Sequence, residues 1–274
     1  GGSGMVGTAF DNVETNHEII SIGSSVCDLR NIDKTKNIFK TIQPDWVIHL
    51  AAKVGGIKAN MEQMGSFYKD NILINTNVLE ASRLTRVKKV VSLLSTCVYP
   101  NRMLDIQSRA YRKEFGCNFI TAVPNNLFGE NDNYHLDDSH VIPAIIHKMY
   151  LAKNKPVRLW GDGNPLREFT YSLDLAKILI FLLENYEEES PINIGNTNEY
   201  AIREIALKIK QFMNYKGKIE WDTTKPKGQL RKPSLNSKLL NLGWSTSDYT
   251  PLDVALKKSC DWFKEKYPDV RGVE

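Results

Sequence analysis

The stretch that decides the fold is VSLLSTCVYP, residues Val91–Pro100. Its first half is apolar and partly β-branched, which predicts a buried parallel strand. It ends in Ser95, Thr96 and Cys97 before the proline, and ligands of open α/β sheets bind outside the carboxyl ends of the strands. Ser95 and Cys97 are therefore candidates to contact a substrate. Taken alone, a structural role is favoured, because Cys is often buried and Ser and Thr commonly close a strand.

The composition excludes several classes of protein. The chain has 274 residues, of which 42% are hydrophobic and 25% charged, as in an ordinary globular protein. Its net charge of +4 comes from mixed signs, which disfavours nucleic acid as a partner. Cys27, Cys97, Cys117 and Cys260 have neither disulfide nor metal-ligand spacing, so we expect a reducing, cytoplasmic compartment and no metal. We expect neither a signal peptide nor a membrane span.

Strands and helices alternate on both sides of the deciding stretch. A strand at Glu18–Ile22, a helix near Lys34–Ile42 and a strand at Trp46–Leu50 precede it. A long helix near 61–86 follows, with an expected apolar core face and enough length to offer a second face to a partner. This βα alternation predicts a Rossmann-like, doubly wound parallel sheet.

The chain opens on glycines spaced G-x-x-G-x-x-G. This spacing lets backbone amides approach a pyrophosphate at a helix N-terminus. The candidates for cofactor binding in this turn are Gly1, Ser3, Gly4, Met5 and Val6. Alone the motif is weak, and a glycine-rich start is also typical of a cloning scar. The fingerprint normally follows a strand, so we expect that a first strand is missing from this sequence rather than from the protein.

The next two strand ends refine the cofactor prediction. After Ile22 come small hydroxyl residues, including Ser24, instead of the acid that would bind a ribose 2′-hydroxyl. They leave room for a 2′-phosphate, which favours NADP over NAD, and Asp28-Leu29 suits a loop passing the adenine. The small Ala51 and Ala52 would let the cofactor lie across the following strand end. A polar surface turn is nearly as good an interpretation of each residue alone.

The second half of the chain is less regular and predicts a smaller C-terminal α/β substrate-binding domain. We assign residues 1–130 to an NADP-binding Rossmann domain, with a return around 166–195, and 131–274 mainly to the substrate. Ser139 is a candidate cap for the helix that follows it. A Pro/Gly-rich loop carries Lys225, Lys227, Arg231 and Lys232, which ordinarily would be a solvated surface.

Six segments together resemble one family. They are Gly1–Gly7, His49–Gly56, Ser95–Pro100, Pro124–Gly129, Ser139–Pro143 and Trp160–Phe169. The chain resembles, over essentially its whole length, the extended short-chain dehydrogenase/reductases that act on nucleotide sugars. The most specific matches are 51–56 and 133–143, which other nucleotide-sugar epimerases lack.

The resemblance implies an NADPH-dependent enzyme that converts GDP-4-keto-6-deoxymannose to GDP-L-fucose. The C4 ketone acidifies the protons at C3 and C5, and inverting each centre needs a base on one face and an acid on the other. By resemblance Cys97 and His140 are that pair, and a thiol and an imidazole suit the task because both can titrate near neutral pH once neighbouring groups shift their pKa modestly. The ketone is then reduced by hydride from NADPH, with Ser95 among the hydroxyls that stabilise the alkoxide.

The same resemblance implies further contacts and a partner. Arg167 and Lys232 would hold the diphosphate of GDP, with Trp160 nearby. The long helix and the helix near Met103–Phe115 would pair across a homodimer as a four-helix bundle. The implied cofactor contacts are Pro124, Asn126, Leu127 and His140. The implied substrate contacts are Asn126, His140, Val141, Lys148, Trp160, Arg167 and Lys232.

One departure from the family concerns the reduction step. The family reduces with a Tyr-x-x-x-Lys pair on the helix after the serine strand, and none of the eleven tyrosines here has a lysine four residues later. Pro100 leads directly to Asn101-Arg102, a connection shorter than the two to six residues usual for a βα loop. We favour the interpretation that a segment containing the tyrosine and the lysine has been omitted from this sequence. The alternatives are another nucleotide-sugar epimerase or dehydratase, and a non-catalytic NADP-binding protein.

Overall fold

The computed structural model describes residues 1–55, 63–94, 98–225 and 228–273, except the side chains of 98–102. The helices are α1 Met5–Ala9, α2 Ile32–Ile42, α3 Met64–Leu84, α4 Val98–Phe115, α5 Val141–Ala152, α6 Ser172–Asn185, α7 Ile202–Phe212, α8 Ser237–Asn241 and α9 Leu252–Lys266, with short 3₁₀ helices at Phe10–Asn12 and Thr246–Asp248. The strands are β1 Trp46–His49, β2 Lys89–Leu93, β3 Phe119–Pro124, β4 Asn126–Phe128, β5 Val157–Trp160, β6 Leu166–Tyr171, β7 Ile192–Ile194, β8 Glu199–Ala201 and β9 Ile219–Asp222.

The main sheet is parallel and runs in the order β1-β2-β3-β7. Helices α1 and α6 pack on one face and α2, α3 and α4 lie on the other, because each face carries an apolar cluster. Val90, Val91 and Ile120 are completely buried, as expected for central strands covered on both sides. The predicted Rossmann-like α/β class is confirmed.

The second half adds two small sheets. One has the order β4-β6-β8 with β8 antiparallel, and the other is the parallel pair β5-β9. Their apolar residues join those of α5, α7 and α9 in a separate core around Phe128 and Phe263. Strands of three or four residues, such as β4, β8 and β9, are too short to show a period, and the sequence analysis did not predict these three.

The strand predicted at Glu18–Ile22 is wrong. No described strand pairs with this segment, although the Ile22 carbonyl accepts a hydrogen bond from the N–H of Gly2 at 2.9 Å. Ile20 is 53% exposed. A strand requires a hydrogen-bonded neighbour, and in the described part of the chain β1 is the edge of the main sheet.

Three smaller predictions also need correction. Strand β2 ends at Leu93, before Ser95. The residue that caps α5 is His140, while the Ser139 hydroxyl is buried without a hydrogen bond to any described residue. The core face of α3 is not purely apolar, since Asn71 and Asn75 are buried on it. In the described ranges, no helix combines the length and the apolar character that crossing a membrane requires.

Candidate functional site

The glycine turn lies against the carboxyl end of the main sheet. A side chain at Gly1 would come within 2.8 Å of Ala51 N, and one at Gly7 within 2.4 Å of the Gly1 carbonyl. The N–H of Gly4 donates to Gly1 O at 3.1 Å, which closes the turn immediately before α1. Glycine is required here because the turn, the sheet end and the helix approach one another too closely for a Cβ atom.

This turn fits the pyrophosphate of a dinucleotide. The N–H groups of Met5 and Val6 belong to the first turn of α1, and no described group accepts a hydrogen bond from them. Such free N–H groups at a helix start favour a negatively charged ligand. Ser3 lies beside Gly23, because a Cβ atom added at Gly23 would be 3.1 Å from the Ser3 hydroxyl oxygen. The turn therefore has the form of a turn that binds a dinucleotide pyrophosphate.

The candidate residues for the adenosine end follow directly from Gly23. Ser24 is exposed, and Asp28 and Leu29 are half-buried. The Asp28 carboxylate accepts two hydrogen bonds from the Arg30 side chain, at 2.9 Å each. These bonds lower the pKa of Asp28 to about 2, so it is an anion at neutral pH. Arg30 is a cation at this edge that the sequence analysis missed. The sequence feature that could have indicated it is its position two residues after Asp28.

Helix α3 holds the loops around the cofactor site through buried asparagines. The Asn71 amide bonds both the N–H and the carbonyl of Lys53, at 2.7 and 3.0 Å, and so fixes the chain just after Ala52. Asn77 donates to the Leu29 carbonyl at 2.8 Å. These contacts explain why the core face of α3 is polar at these positions, where apolar residues had been expected.

Beneath this edge, His49 ends β1 with its side chain buried. Its Nε2 lies 2.9 Å from Asn75 Oδ1. Burial lowers the pKa of His49 to about 4, although the bond to Asn75 opposes that shift. The imidazole is therefore neutral at pH 7 and serves to join β1 to α3.

The end of β3 brings further candidates to the same side. Pro124 is buried, and Leu127 packs against the core cluster that includes α1. The Asn126 amide donates to the Glu168 carbonyl at 2.7 Å. The Glu168 carboxylate is buried and accepts from the Ser234 N–H at 2.9 Å. Asn126 is thus held in place between the main sheet and β6.

His140 stands at the start of α5, where its backbone caps the helix. The residue is exposed to solvent, yet the surrounding protein restricts hydration enough to lower the pKa of its imidazole below the ordinary value. A neutral imidazole on an open rim is able to accept a proton from a bound substrate. Val141 follows it, half-buried, as the first residue of α5.

Trp160 lies close to two lysines. Lys148 Nζ lies 6.0 Å from the centre of its ring and Lys225 Nζ lies 5.9 Å from it. The indole is 56% exposed, so it remains accessible to a ligand. Burial lowers the pKa of Lys148, an effect that Asp137 opposes. Lys225 was assigned to a solvated surface in the sequence analysis, because only the fold brings it to Trp160.

Arg167 lies on β6 beside the basic loop. A Cβ atom at Gly228 would be 3.3 Å from its Nη2, and the neighbouring Leu166 N–H donates to Leu230 O at 2.8 Å. Burial lowers the pKa of the Arg167 guanidinium, and its Nη1 donates a hydrogen bond to the Leu166 carbonyl. An anionic ligand would offset that desolvation. Lys232 belongs to the same loop, three residues after Gln229, and is half-buried.

The structure therefore assembles two groups of predicted residues. Of the cofactor candidates, Gly1 lies against Ala51 and Ser3 lies beside Gly23, at the carboxyl edge of the main sheet. The candidates Lys148 and Trp160 meet at β5, together with Lys225. Ser95 and Cys97 lie outside the described residues, so their predicted roles stay predictions.

Comparisons with known proteins show which family the chain belongs to. The model of the NAD dependent epimerase/dehydratase family matches residues 1–104 and 101–195. The GDP-L-fucose synthase of Dictyostelium discoideum is 40% identical over 307 aligned positions, covering 99% of this chain and 96% of that protein. The GDP-L-fucose synthase of Sinorhizobium fredii is 35% identical, covering 98% and 95%. The crystal structure of a GDP-L-fucose synthetase from Naegleria fowleri bound to NADP has a TM-score of 0.93 at 35% identity, covering 98% and 92%.

Two features of these matches concern the missing Tyr-x-x-x-Lys. The family model matches in two stretches that meet beside the Pro100–Asn101 junction. The alignment of 307 positions is longer than the 274 residues of this chain, so the relative has residues where this chain has none. Because the family model covers more than half of the chain and the relatives cover almost all of it, the chain belongs to the NAD dependent epimerase/dehydratase family, in its branch of GDP-L-fucose synthases.

Proposed function

We propose that the protein is an NADPH-dependent epimerase-reductase that converts GDP-4-keto-6-deoxymannose to GDP-L-fucose. The observation that carries the proposal is the layout of α5, which has His140 at its start and Lys148 eight residues later beside Trp160. Eight residues of helix span about 12 Å. A nucleotide sugar of that reach would place its sugar at His140 and its nucleotide at Lys148. Residues 1–130 and 166–195 would bind NADPH, and 131–274 mainly the GDP-sugar.

The epimerisation uses proton transfer at C3 and C5. The C4 ketone makes both protons acidic, and His140 is placed to hold or accept a proton at its imidazole. The lowered pKa of His140 keeps it neutral at pH 7, as a base requires. By resemblance, Cys97 supplies the second group, on the opposite face of the ring.

The reduction requires groups that the 274-residue sequence does not contain. NADPH supplies the hydride when bound, and a hydroxyl group has to protonate the alkoxide at C4. Ser95 is one hydroxyl of that set by resemblance. We propose that the tyrosine and lysine belong to a segment between Pro100 and Asn101 of the natural protein, which the two-part family match supports. The 274-residue chain should then epimerise without reducing.

An assay with two readouts tests this proposal. The chain is incubated with GDP-4-keto-6-deoxymannose and NADPH in deuterated solvent, following both deuterium at C3 and C5 and the absorbance of NADPH. We expect exchange without NADPH oxidation from the 274-residue chain, and both events from the protein isolated from its natural source. His140→Asn should lower exchange at least about 100-fold. Lys216→Ala is the matched control, since Lys216 is exposed on a turn after α7.

Two results would contradict the proposal. NADPH oxidation by the 274-residue chain would mean that reduction does not depend on a Tyr-x-x-x-Lys segment. Cofactor binding without exchange or reduction, even in the natural protein, would favour a non-catalytic NADP-binding protein. The absence of Tyr-x-x-x-Lys from this sequence is the observation that keeps this second candidate open.

We further propose that the protein is a cytoplasmic homodimer joined through α3 and α4. These helices lie side by side, with Gln107 donating to the Thr76 hydroxyl at 2.7 Å. Leu73 and Ile106, each within one turn of that bond, are 38% and 50% exposed. Apolar side chains on one helix pair suit a four-helix bundle. Light scattering should give a dimer for the wild type and a monomer for Leu73→Glu/Ile106→Glu, whereas a monomeric wild type would contradict the proposal.

A further inference from the structure

A cavity lies on the face of the β5-β9 sheet opposite to Trp160. Residues directly opposite each other in paired strands share a face, and successive residues alternate between faces. Trp160 is opposite Asp222 and Leu159 is opposite Trp221. The two indoles therefore project from opposite faces. The cavity lined by Trp221 is separate from the candidate substrate site.

This cavity has the size of a small-molecule site. Its volume is about 490 Å³ and it opens to solvent. Binding sites for small molecules measure roughly 300–1,000 Å³. One wall is the outer stripe of α7, with residues three and four positions apart, and the other wall is the start of β9. The lining residues are Arg203, Leu207, Lys210, Lys218, Ile219 and Trp221.

Three cations, Arg203, Lys210 and Lys218, line the cavity. The Arg203 guanidinium donates to the Asp162 carbonyl at 2.8 Å, and Lys210 Nζ donates to the Gly217 carbonyl at 2.8 Å. Backbone carbonyls fix these groups in position but do not neutralise them. Among the described residues, no carboxylate forms an ion pair with either group or with Lys218. Three converging positive charges raise the local concentration of anions.

The floor of the cavity is apolar and partly aromatic. Leu207 is 59% exposed and lines the cavity, so it offers apolar surface there. The Trp221 ring packs against Gly163, where an added Cβ would lie 2.6 Å from Cζ2, so the indole is fixed. A fixed indole, an exposed leucine and nearby cations together suit a planar base that carries a phosphate.

We propose that this cavity is a second nucleotide site, which binds the phosphate of a nucleoside phosphate through Arg203, Lys210 and Lys218 and its base against Leu207 and Trp221. The competing occupant is an acidic peptide paired with the outer edge of β9, which has no partner strand in the described ranges. The concave shape favours the nucleotide, because an added strand would run along the edge and leave the floor uncovered.

Counting bound GDP on the full chain tests the proposal. Calorimetry should give two equivalents for the wild type, one at the Arg167 site and one here. Arg203→Ala/Lys218→Ala should lose one equivalent, through a fall in affinity of at least about tenfold, while Arg167→Ala should lose the other. The Arg203 and Lys218 side chains are exposed, so we expect the double variant to fold as the wild type does. Lys216→Ala should keep both equivalents.

The outcomes separate the two proposals. A single equivalent in the wild type that survives Arg203→Ala/Lys218→Ala would overturn the second site. So would displacement of GDP from this site by equal concentrations of inorganic phosphate, or by a glutamate-rich peptide at lower concentrations. If Arg167→Ala removes no equivalent while Arg203→Ala/Lys218→Ala does, the second site stands and the proposed substrate site fails.

Discussion

The Asn71 side chain satisfies both backbone groups of Lys53. The Lys53 N–H donates to Asn71 Oδ1 at 2.7 Å, and Asn71 Nδ2 donates to the Lys53 carbonyl at 3.0 Å. Asn71 is 5% exposed, so these groups have little access to water. One buried side chain of α3 therefore sets the path of the loop that carries Ala51 and Ala52 past the cofactor site. The amide suits this geometry because it supplies one donor and one acceptor side by side.

Replacing Asn71 should weaken both folding and NADPH binding. Asn71→Leu leaves two backbone groups of Lys53 without partners, at a cost of about 2–4 kcal/mol in the free energy of unfolding. We expect the Kd for NADPH to rise by about tenfold, since the loop loses its fixed position. Urea unfolding and a fluorescence titration measure the two effects. Asn71→Asp keeps the acceptor and should fall between the wild type and Asn71→Leu, and an unchanged Kd in Asn71→Leu would contradict the positioning role.

His49 should make the protein less stable in mild acid. Burial lowers the pKa of His49 to about 4, whereas an unfolded histidine has a pKa near 6.5. The unfolded state therefore binds a proton first, and stability falls as the pH drops from about 6.5 to 4, by roughly 3 kcal/mol. Denaturant unfolding across this range measures the loss. His49→Gln retains an amide donor for Asn75 and should lack this part of the pH dependence. If the stability of His49→Gln fell with pH as steeply as that of the wild type, the assignment to His49 would be wrong.

The alternation of strands and helices was enough to predict the parallel sheet, because β1 to β3 are continuous apolar runs with helical segments between them. The functional predictions rested on motifs, and His140 was predicted because it belongs to one. Asn71 and Lys225 had no such signal. A buried asparagine and a solvated one look alike in sequence, and Lys225 reaches Trp160 only after β9 pairs with β5. The Glu18–Ile22 strand failed because a strand depends on a partner elsewhere in the chain.

Asp132 should reduce stability at alkaline pH. It is 5% exposed, and burial raises the pKa of its carboxyl to about 7 although the Asn133 N–H donates to it. The folded state holds the proton while the unfolded state releases it near pH 4, so wild-type stability falls between about pH 4 and 7. Asp132→Asn removes this charge and should be more stable than the wild type at pH 8, by up to about 4 kcal/mol. Thermal unfolding at pH 5 and pH 8 measures the difference, and an Asp132→Asn protein that is less stable at pH 8 would contradict the assignment.

Lys225 should contribute to substrate affinity rather than to chemistry. Its Nζ lies 5.9 Å from the centre of the Trp160 ring, in the part of the proposed site that we assign to the nucleotide, whereas we assign His140 to the sugar ring. Lys225→Ala should raise KM for the GDP-sugar about five- to twentyfold, as expected for the loss of one charged contact, and leave the rate of C3 and C5 exchange at saturation within about twofold. Exchange rates measured against substrate concentration separate the two parameters. Lys225→Met preserves the length of the side chain without its charge and should behave like Lys225→Ala. Recovery of the wild-type KM in Lys225→Met would mean that packing against Trp160, and not the positive charge, is what Lys225 provides.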